Sequence, residues 1–405
     1  MAEAAALRVP VVRTGARLVL ILGAMAALGP LSFDMYLPAF PQLRETFGAS
    51  ASAVQLTLTC ALVGLGLGQL LIGPMSDARG RRAPLLVGLA GYVCASLLCT
   101  VAPTIAILAV LRFIQGFTAA AGVVLSRAVV RDITSGIATA RLFSLLMLVN
   151  GLAPVFAPTI GSAVLRAGSW RTIFVVLAFF GAALLLVTWL RLPETLPAER
   201  RSAGGLRVGL RGFAALLRGR VFVGYGLALG LSVGAVFAYI AGSSFALQDV
   251  YGLSAAAFAL TFGVNGIGIV VSSQVNRALL RRIAPRRLLG GGLSGMCAGA
   301  LALLTAVASG APLAAVLVAL FVTVASVGFV MPNATALALA DHAEVAGSAS
   351  ALLGVNQFLV GAVVAPLVGI AGVGTAVPMA LVMLVLCLGA ALALVTLARP
   401  VGAAT

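Results

Sequence analysis

The chain has 405 residues, 62% of them hydrophobic and 9% charged, with a formal net charge of +16. So little polar surface cannot coat a soluble globule, which excludes a water-soluble domain and leaves an integral membrane protein. The basic excess is 26 arginines without a lysine, clustered in loops of one parity, so it reports membrane topology and not a nucleic-acid partner.

Apolar stretches long enough to cross a bilayer fall at roughly 18–40, 53–74, 84–104, 106–128, 141–165 and 170–191. A polar gap follows, then six more at roughly 221–243, 253–276, 286–308, 312–334, 346–368 and 374–397. These are numbered as spans 1 to 12, and the expected fold is all-α. Arg8, Arg13 and Arg17 precede a first apolar run too long for a signal peptide, so span 1 is expected to be a retained helix. With the N-terminus in the cytoplasm, 22 of the 26 arginines fall on that side and Arg44, Arg166 and Arg171 fall outside. This bias places both termini in the cytoplasm. The expected organisation is a six-helix half over 1–191, a cytoplasmic linker over 192–220 and a second six-helix half over 221–405, with substrate between the halves. Cys60, Cys94, Cys99, Cys297 and Cys387 all lie within spans and read as free thiols.

Span 1 contains Ser32-Phe33-Asp34-Met35-Tyr36-Leu37-Pro38. An acid inside such a run costs about 3 kcal/mol or more on insertion scales, which makes Asp34 a functional candidate by default. The loop after span 2 reads Gly73-x-x-x-Asp77-x-Arg79-Gly80-Arg81-Arg82, a tight turn with a charge cluster at the membrane face. Span 4 carries Arg112 in Arg112-x-x-Gln115-Gly116. Counted from the span ends expected at Phe40 and Ala106, Asp34 and Arg112 each lie about six residues in, roughly 9 Å deep. The one membrane acid and the one membrane base therefore share a level, and a pair or a shared water cavity is the economical arrangement.

Span 5 holds Asn150, Gly151, Pro154, Pro158, Gly161 and Ser162. Prolines there bend the helix and free carbonyls, while small residues permit close packing. Gly64-Leu65-Gly66-Leu67-Gly68 lies within a helix and reads as a packing seam, not a nucleotide fingerprint. His342, with Asp341 and Glu344, reads as a solvated loop. Asn150, Tyr239, Asn265, Asn356 and Gln357 are polar residues inside spans that either bridge helices by hydrogen bonds or line a pocket, and Tyr36, Asn150, Tyr239, Asn265 and Gln357 are the candidate substrate contacts.

The Gly73–Arg82 pattern resembles the loop 2–3 signature of the major facilitator superfamily, a twelve-helix fold of two six-helix halves. There the loop serves as a cytoplasmic gate; its second-half counterpart, Asn276 to Arg287, has Arg277 where an aspartate is expected. Arg112 matches the R-x-x-Q-G pattern of drug/proton antiporters, and Pro158-x-x-Gly161-Ser162 partly matches their span 5 signature. With the Asp34 segment and Pro332-Asn333-Ala334-Thr335, these features resemble the Bcr/CflA group of drug-efflux transporters along essentially the whole chain.

The resemblance implies proton-coupled export of small lipophilic drugs or antibiotics across a bacterial cell membrane. It implies no cofactor, no metal and a monomer, with Asp34 carrying the proton in concert with Arg112. Two turns before Asp34 the chain reads Ala24, Met25, Ala26 and Ala27, so one proton per cycle is expected. A proton-coupled importer or uniporter on the same fold is the alternative. An integral-membrane enzyme is remote, because the chain lacks lysine, a metal-ligand cluster and a nucleophile elbow.

Overall fold

The computed structural model describes residues 16–134, 136–201, 216–340, 346–369 and 374–398. Among the described residues there is no strand. Eleven helices are long and apolar enough to cross a membrane, and Val155–Ala167 is the apolar part of a twelfth. Span 1 begins with the helix Ala16–Asp34, passes through a 3-10 turn at Leu37–Ala39 and ends with the helix Phe40–Phe47. Spans 2 to 6 are Ala51–Arg79, Arg82–Thr100, Ile105–Ile133, Gly136–Ala167 and Trp170–Arg191. Span 7 is Arg220–Phe245 continued by a π-turn at Ala246–Val250, and spans 8 and 9 are Ala255–Leu279 and Pro285–Ala308. Span 10 is split at Ser326 into Leu313–Ala325 and Val327–Leu339, and spans 11 and 12 are Ala346–Gly369 and Val377–Thr396.

The twelve expected spans are therefore present, with two material corrections. Span 2 runs to Arg79, so Gly73 and Asp77 of the expected loop lie in helix and the connection to span 3 is only Gly80-Arg81. Span 1 runs to Phe47, not to Phe40, because the chain resumes helix after its break and stops only at Gly48, whose φ of 56° suits glycine. Spans 2, 4 and 8 begin at Ser50, Thr104 and Ser254, whose hydroxyls accept from the backbone N–H three residues on. Residues 202–215 of the expected linker, and His342, Asp341 and Glu344, lie outside the described residues.

Two packing rules hold the first half together. Spans 2 and 4 approach at backbone distance: a Cβ on Gly64 would overlap the Phe113 carbonyl oxygen, and one on Gly116 would overlap that of Ala61. The glycine run in span 2 is thus a packing seam, in which small residues bring backbones close where water cannot drive association. Tyr36, Phe40, Phe174 and Trp170 then fill the space between spans 1 and 6 with ring centroids 5.3–6.0 Å apart.

The halves meet toward the end opposite the Gly73–Pro84 loop. Gln55 Nε2 donates to the Ala241 carbonyl at 3.0 Å, and the Thr59 hydroxyl to that of Ala362 at 3.0 Å. At the rim, Arg44 pairs with Asp249 at 3.1 Å, tying the Phe40–Phe47 extension to the π-turn of span 7. At the arginine-rich end, the hydrogen bonds and ion pairs of the Asp77–Arg82 segment among the described residues go to the first half and to Glu194 at the start of the linker, and none reaches the second half.

Candidate functional site

The break in span 1 follows from its prolines. An α-helix through this segment would bond the N–H of residue 38 to the Asp34 carbonyl and that of residue 41 to the Leu37 carbonyl, but both positions are proline and have no N–H. Helix therefore stops at Asp34. The Leu37 carbonyl instead accepts a 3-10 bond from Phe40 and a second from the Ser244 hydroxyl of span 7 at 2.7 Å. A freed backbone carbonyl thus becomes a bond between the halves.

Span 5 seats this break. Gly161 lies so close that a Cβ there would overlap the Met35 carbonyl oxygen and sit 2.9 Å from its carbonyl carbon. Pro158 is buried one turn earlier. The side chains of Asn150 and Pro154, and the surroundings of Gly151, lie outside what is described. Asp34 is 5% exposed, and among the described residues no side chain or backbone group hydrogen-bonds or ion-pairs with its carboxyl.

Arg112 sits elsewhere. It is fully buried in the first half, its guanidinium 4.6 Å from the Tyr36 ring centroid, 5.6 Å from that of Phe174 and 6.0 Å from that of Phe33. Nη1 donates to Gln115 Oε1, Gln115 Nε2 donates to Ser96 Oγ at 2.7 Å, and Nε and Nη2 have no hydrogen-bond partner among the described residues. Aromatic faces supply the counter-charge, an attraction of about 0.5–2 kcal/mol per ring when desolvated. The expected direct pair between Asp34 and Arg112 is therefore absent in this conformation. Phe33 and Tyr36, on either side of Asp34 in the chain, both present their rings to Arg112, while Asp34 makes no ion pair with it.

Of the candidate substrate contacts, Tyr239 and Asn265 come together: Asn265 Nδ2 donates to the Tyr239 hydroxyl at 2.9 Å, and the Tyr239 ring stacks on Phe262 at 5.2 Å. Tyr36 belongs to the Arg112 enclosure, its hydroxyl 3.0 Å from that of Thr57. Gln357 bonds back to Leu353 within its own helix, and Asn356 bridges to the Gly226 carbonyl of span 7.

The end of span 2 and its short turn into span 3 form an ordered ion cluster. Arg81 donates to Asp77 at 2.5 Å and to Asp132 at 2.9 Å. Gly80 has a φ of +93°, and Glu194 Oε2 would lie 2.5 Å from any Cβ there, so this position needs glycine twice over. Gly73 meets only ordinary contact, from Val124 at 3.8 Å. Arg79 is exposed, and Arg82 donates to the Trp189 carbonyl at 2.8 Å.

Two acids escaped the sequence reading. Asp132 closes the Arg81 cluster, and Glu194 accepts from the backbone N–H groups of Arg81, Arg82, Thr195 and Leu196. A proline-acid pair directly after a helix end, Pro193-Glu194, was the available signal for the latter. Partial burial raises the Glu194 carboxyl, but the four N–H bonds outweigh it and hold the group below its ordinary 4.5. A depressed carboxyl adds stability above its unfolded value that is lost as pH falls through the lower folded value. The thermal midpoint of the wild type should therefore drop more steeply on acidification below about pH 4.5 than that of Glu194→Gln, read by scanning fluorimetry across that window.

Two six-helix halves around a broken helix with a buried, unpartnered acid define a multi-pass membrane transporter. Residues 22–366 match the family model of the Major Facilitator Superfamily, and the chain belongs to that family. It is 43% identical over 91% of its length to the uncharacterized MFS-type transporter YdgK of Bacillus subtilis, covering 92% of that protein. It is 32% identical over 89% of its length to a bicyclomycin resistance protein homolog of Haemophilus influenzae, covering 91% of it. Among solved structures, a bacterial homolog of the human lysosomal transporter Spinster, inward-facing and unoccupied, superposes with a TM-score of 0.75. It shares 15% identity, with 93% of this chain and 95% of that one covered.

Proposed function

We propose that the chain exports small, lipophilic, antibiotic-like compounds in exchange for protons, by alternating access across a bacterial cell membrane. The observation that carries this reading is the Asp34 carboxyl, buried at the break of span 1 without a partner among the described residues. An ionised carboxyl left unpaired in an apolar seam is strongly disfavoured. It can cross that seam in two ways: neutralised by a proton, or partnered by a polar or cationic group of the substrate. The two are mutually exclusive, and that exclusion is the logic of antiport.

In this cycle the inward-facing form, closed by the contacts among spans 1, 2, 7 and 11, takes substrate at ionised Asp34. After the halves rock, a proton from outside removes the charge and releases the substrate. Arg112 contributes from a distance: fixed in its aromatic enclosure, it holds Phe33 and Tyr36 and so the backbone on either side of Asp34. The drug-resistance name of the Haemophilus influenzae relative supports the substrate class. The arginine bias supports cytoplasmic termini.

The test uses the purified chain in liposomes containing an internal pH dye. Adding a panel of neutral and cationic antibiotics should trigger proton movement opposite to that of one or more compounds. Compound flux without proton movement would establish a uniporter, and co-directional movement an importer; either would overturn antiport.

A further inference from the structure

The two halves carry corresponding loops, between spans 2 and 3 and between spans 8 and 9, but they balance charge differently. In the first, Arg81 meets Asp77 and Asp132. The second, from Asn276 to Arg287, contains five arginines and no acid. Arg286 is tied to the Tyr225 hydroxyl and the Ala398 carbonyl. Among the described residues, Arg277, Arg281 and Arg282 meet no carboxylate and are exposed. The acids of residues 221–405 are Asp249, at the opposite end, and Asp341 and Glu344. Even if both of the latter paired here, two acids against five arginines would leave three positive charges uncompensated.

Those three arginines, with Gln274, Ala278 and Leu279, line a surface pocket of about 630 Å³. Directly above it, span 8 presents Leu260, Val264, Ile267, Val271 and Val275, all 45–70% exposed. Their spacing of three and four residues makes one continuous face, and Ala278 continues it into the pocket. That face is turned away from Asn265 and Phe262, which pack on span 7, so it looks into the bilayer. An apolar, lipid-facing row ending in a cationic pocket at the membrane surface has the shape of a phospholipid: acyl chains above, phosphate below. A free phosphate would use the arginines but not the row.

We propose that the span 8–9 pocket binds the headgroup of an anionic phospholipid, whose phosphate supplies the negative charge that this loop lacks. The lipid would sit on the half that moves against the Asp77–Arg82 cluster, and its binding does not depend on the direction or coupling of transport.

The experiment is native mass spectrometry of the full-length protein in neutral detergent, titrated with phosphatidylglycerol, phosphatidylcholine or inorganic phosphate. The wild type should retain phosphatidylglycerol in preference to phosphatidylcholine. Replacing Arg277, Arg281 and Arg282 together by Gln should weaken that retention roughly a hundredfold, and Arg281→Gln alone roughly fivefold, at the usual strength of a basic residue at an anionic membrane surface. A triple replacement elsewhere, Arg166, Arg191 and Arg218 by Gln, should leave it unchanged. Equal loss in both triple variants, or no loss in either, overturns the proposal. Displacement of the lipid by a millimolar excess of inorganic phosphate also overturns it, in favour of a soluble phosphate site. If the triple variant does not fold, Arg281→Gln together with the control variant still decides.

Discussion

Asp34→Asn is expected to abolish compound-driven proton movement and to reduce gradient-driven export by about two orders of magnitude or more, as befits removal of the one buried acid among the described residues. The fold should survive, because the carboxyl makes no hydrogen bond or ion pair among the described residues and a neutral amide is easier to bury than a carboxylate. A thermal midpoint equal to or above that of the wild type would separate lost coupling from lost structure. Asp34→Glu retains the titrating group and should keep part of the activity. Full export by Asp34→Asn would remove Asp34 from the mechanism and leave its burial unexplained.

The second large effect is expected at a residue with no functional group. In Gly161→Ala the new methyl would overlap the Met35 carbonyl oxygen, a backbone atom that cannot rotate aside. Either span 5 moves out or the break in span 1 shifts, and overpacking of this kind costs about 1–3 kcal/mol. Because the displaced atoms adjoin Asp34, transport should fall further than the loss of folded protein accounts for. Gly290→Ala is the matched control: no heavy atom lies within 4 Å of its new Cβ, and it should be neutral in both melting and transport. Parity between Gly161→Ala and the wild type would show that the seat of the break tolerates displacement and that the span 5 pattern has another purpose.

These two expectations differ in how far the sequence foretold them. Asp34 announces itself, because an acid in an apolar run has no ordinary structural explanation. Gly161 was visible as one letter in a proline-glycine pattern, but its contact was not, since nothing in span 5 says which of the other helices it faces. The ion cluster divides in the same way. Asp77 and Arg81 are four residues apart and readable as neighbours, whereas Asp132 and Glu194 reach Arg81 from 51 and 113 residues away in the chain. The pairing of Asp34 with Arg112 failed for a related reason. Equal depth along two helices fixes height but not azimuth, and Phe33 and Tyr36 had the better claim on the guanidinium.

What the sequence by itself determined is the part of this protein that depends on one dimension. The spans follow from runs of apolar residues matched to bilayer thickness, the expectation of their sidedness from the arginine bias, and the break in span 1 from prolines at 38 and 41. Only the tertiary structure decided what those elements face. It buried Asp34 without a partner among the described residues and enclosed Arg112 in aromatic rings. It set Gly161 against a bare carbonyl and left the arginines of the span 8–9 loop without acids among the described residues. Inside a membrane every helix is apolar on nearly every side, so periodicity carries little directional information. Azimuth is set instead by close backbone contacts and by the few polar groups that must find one another.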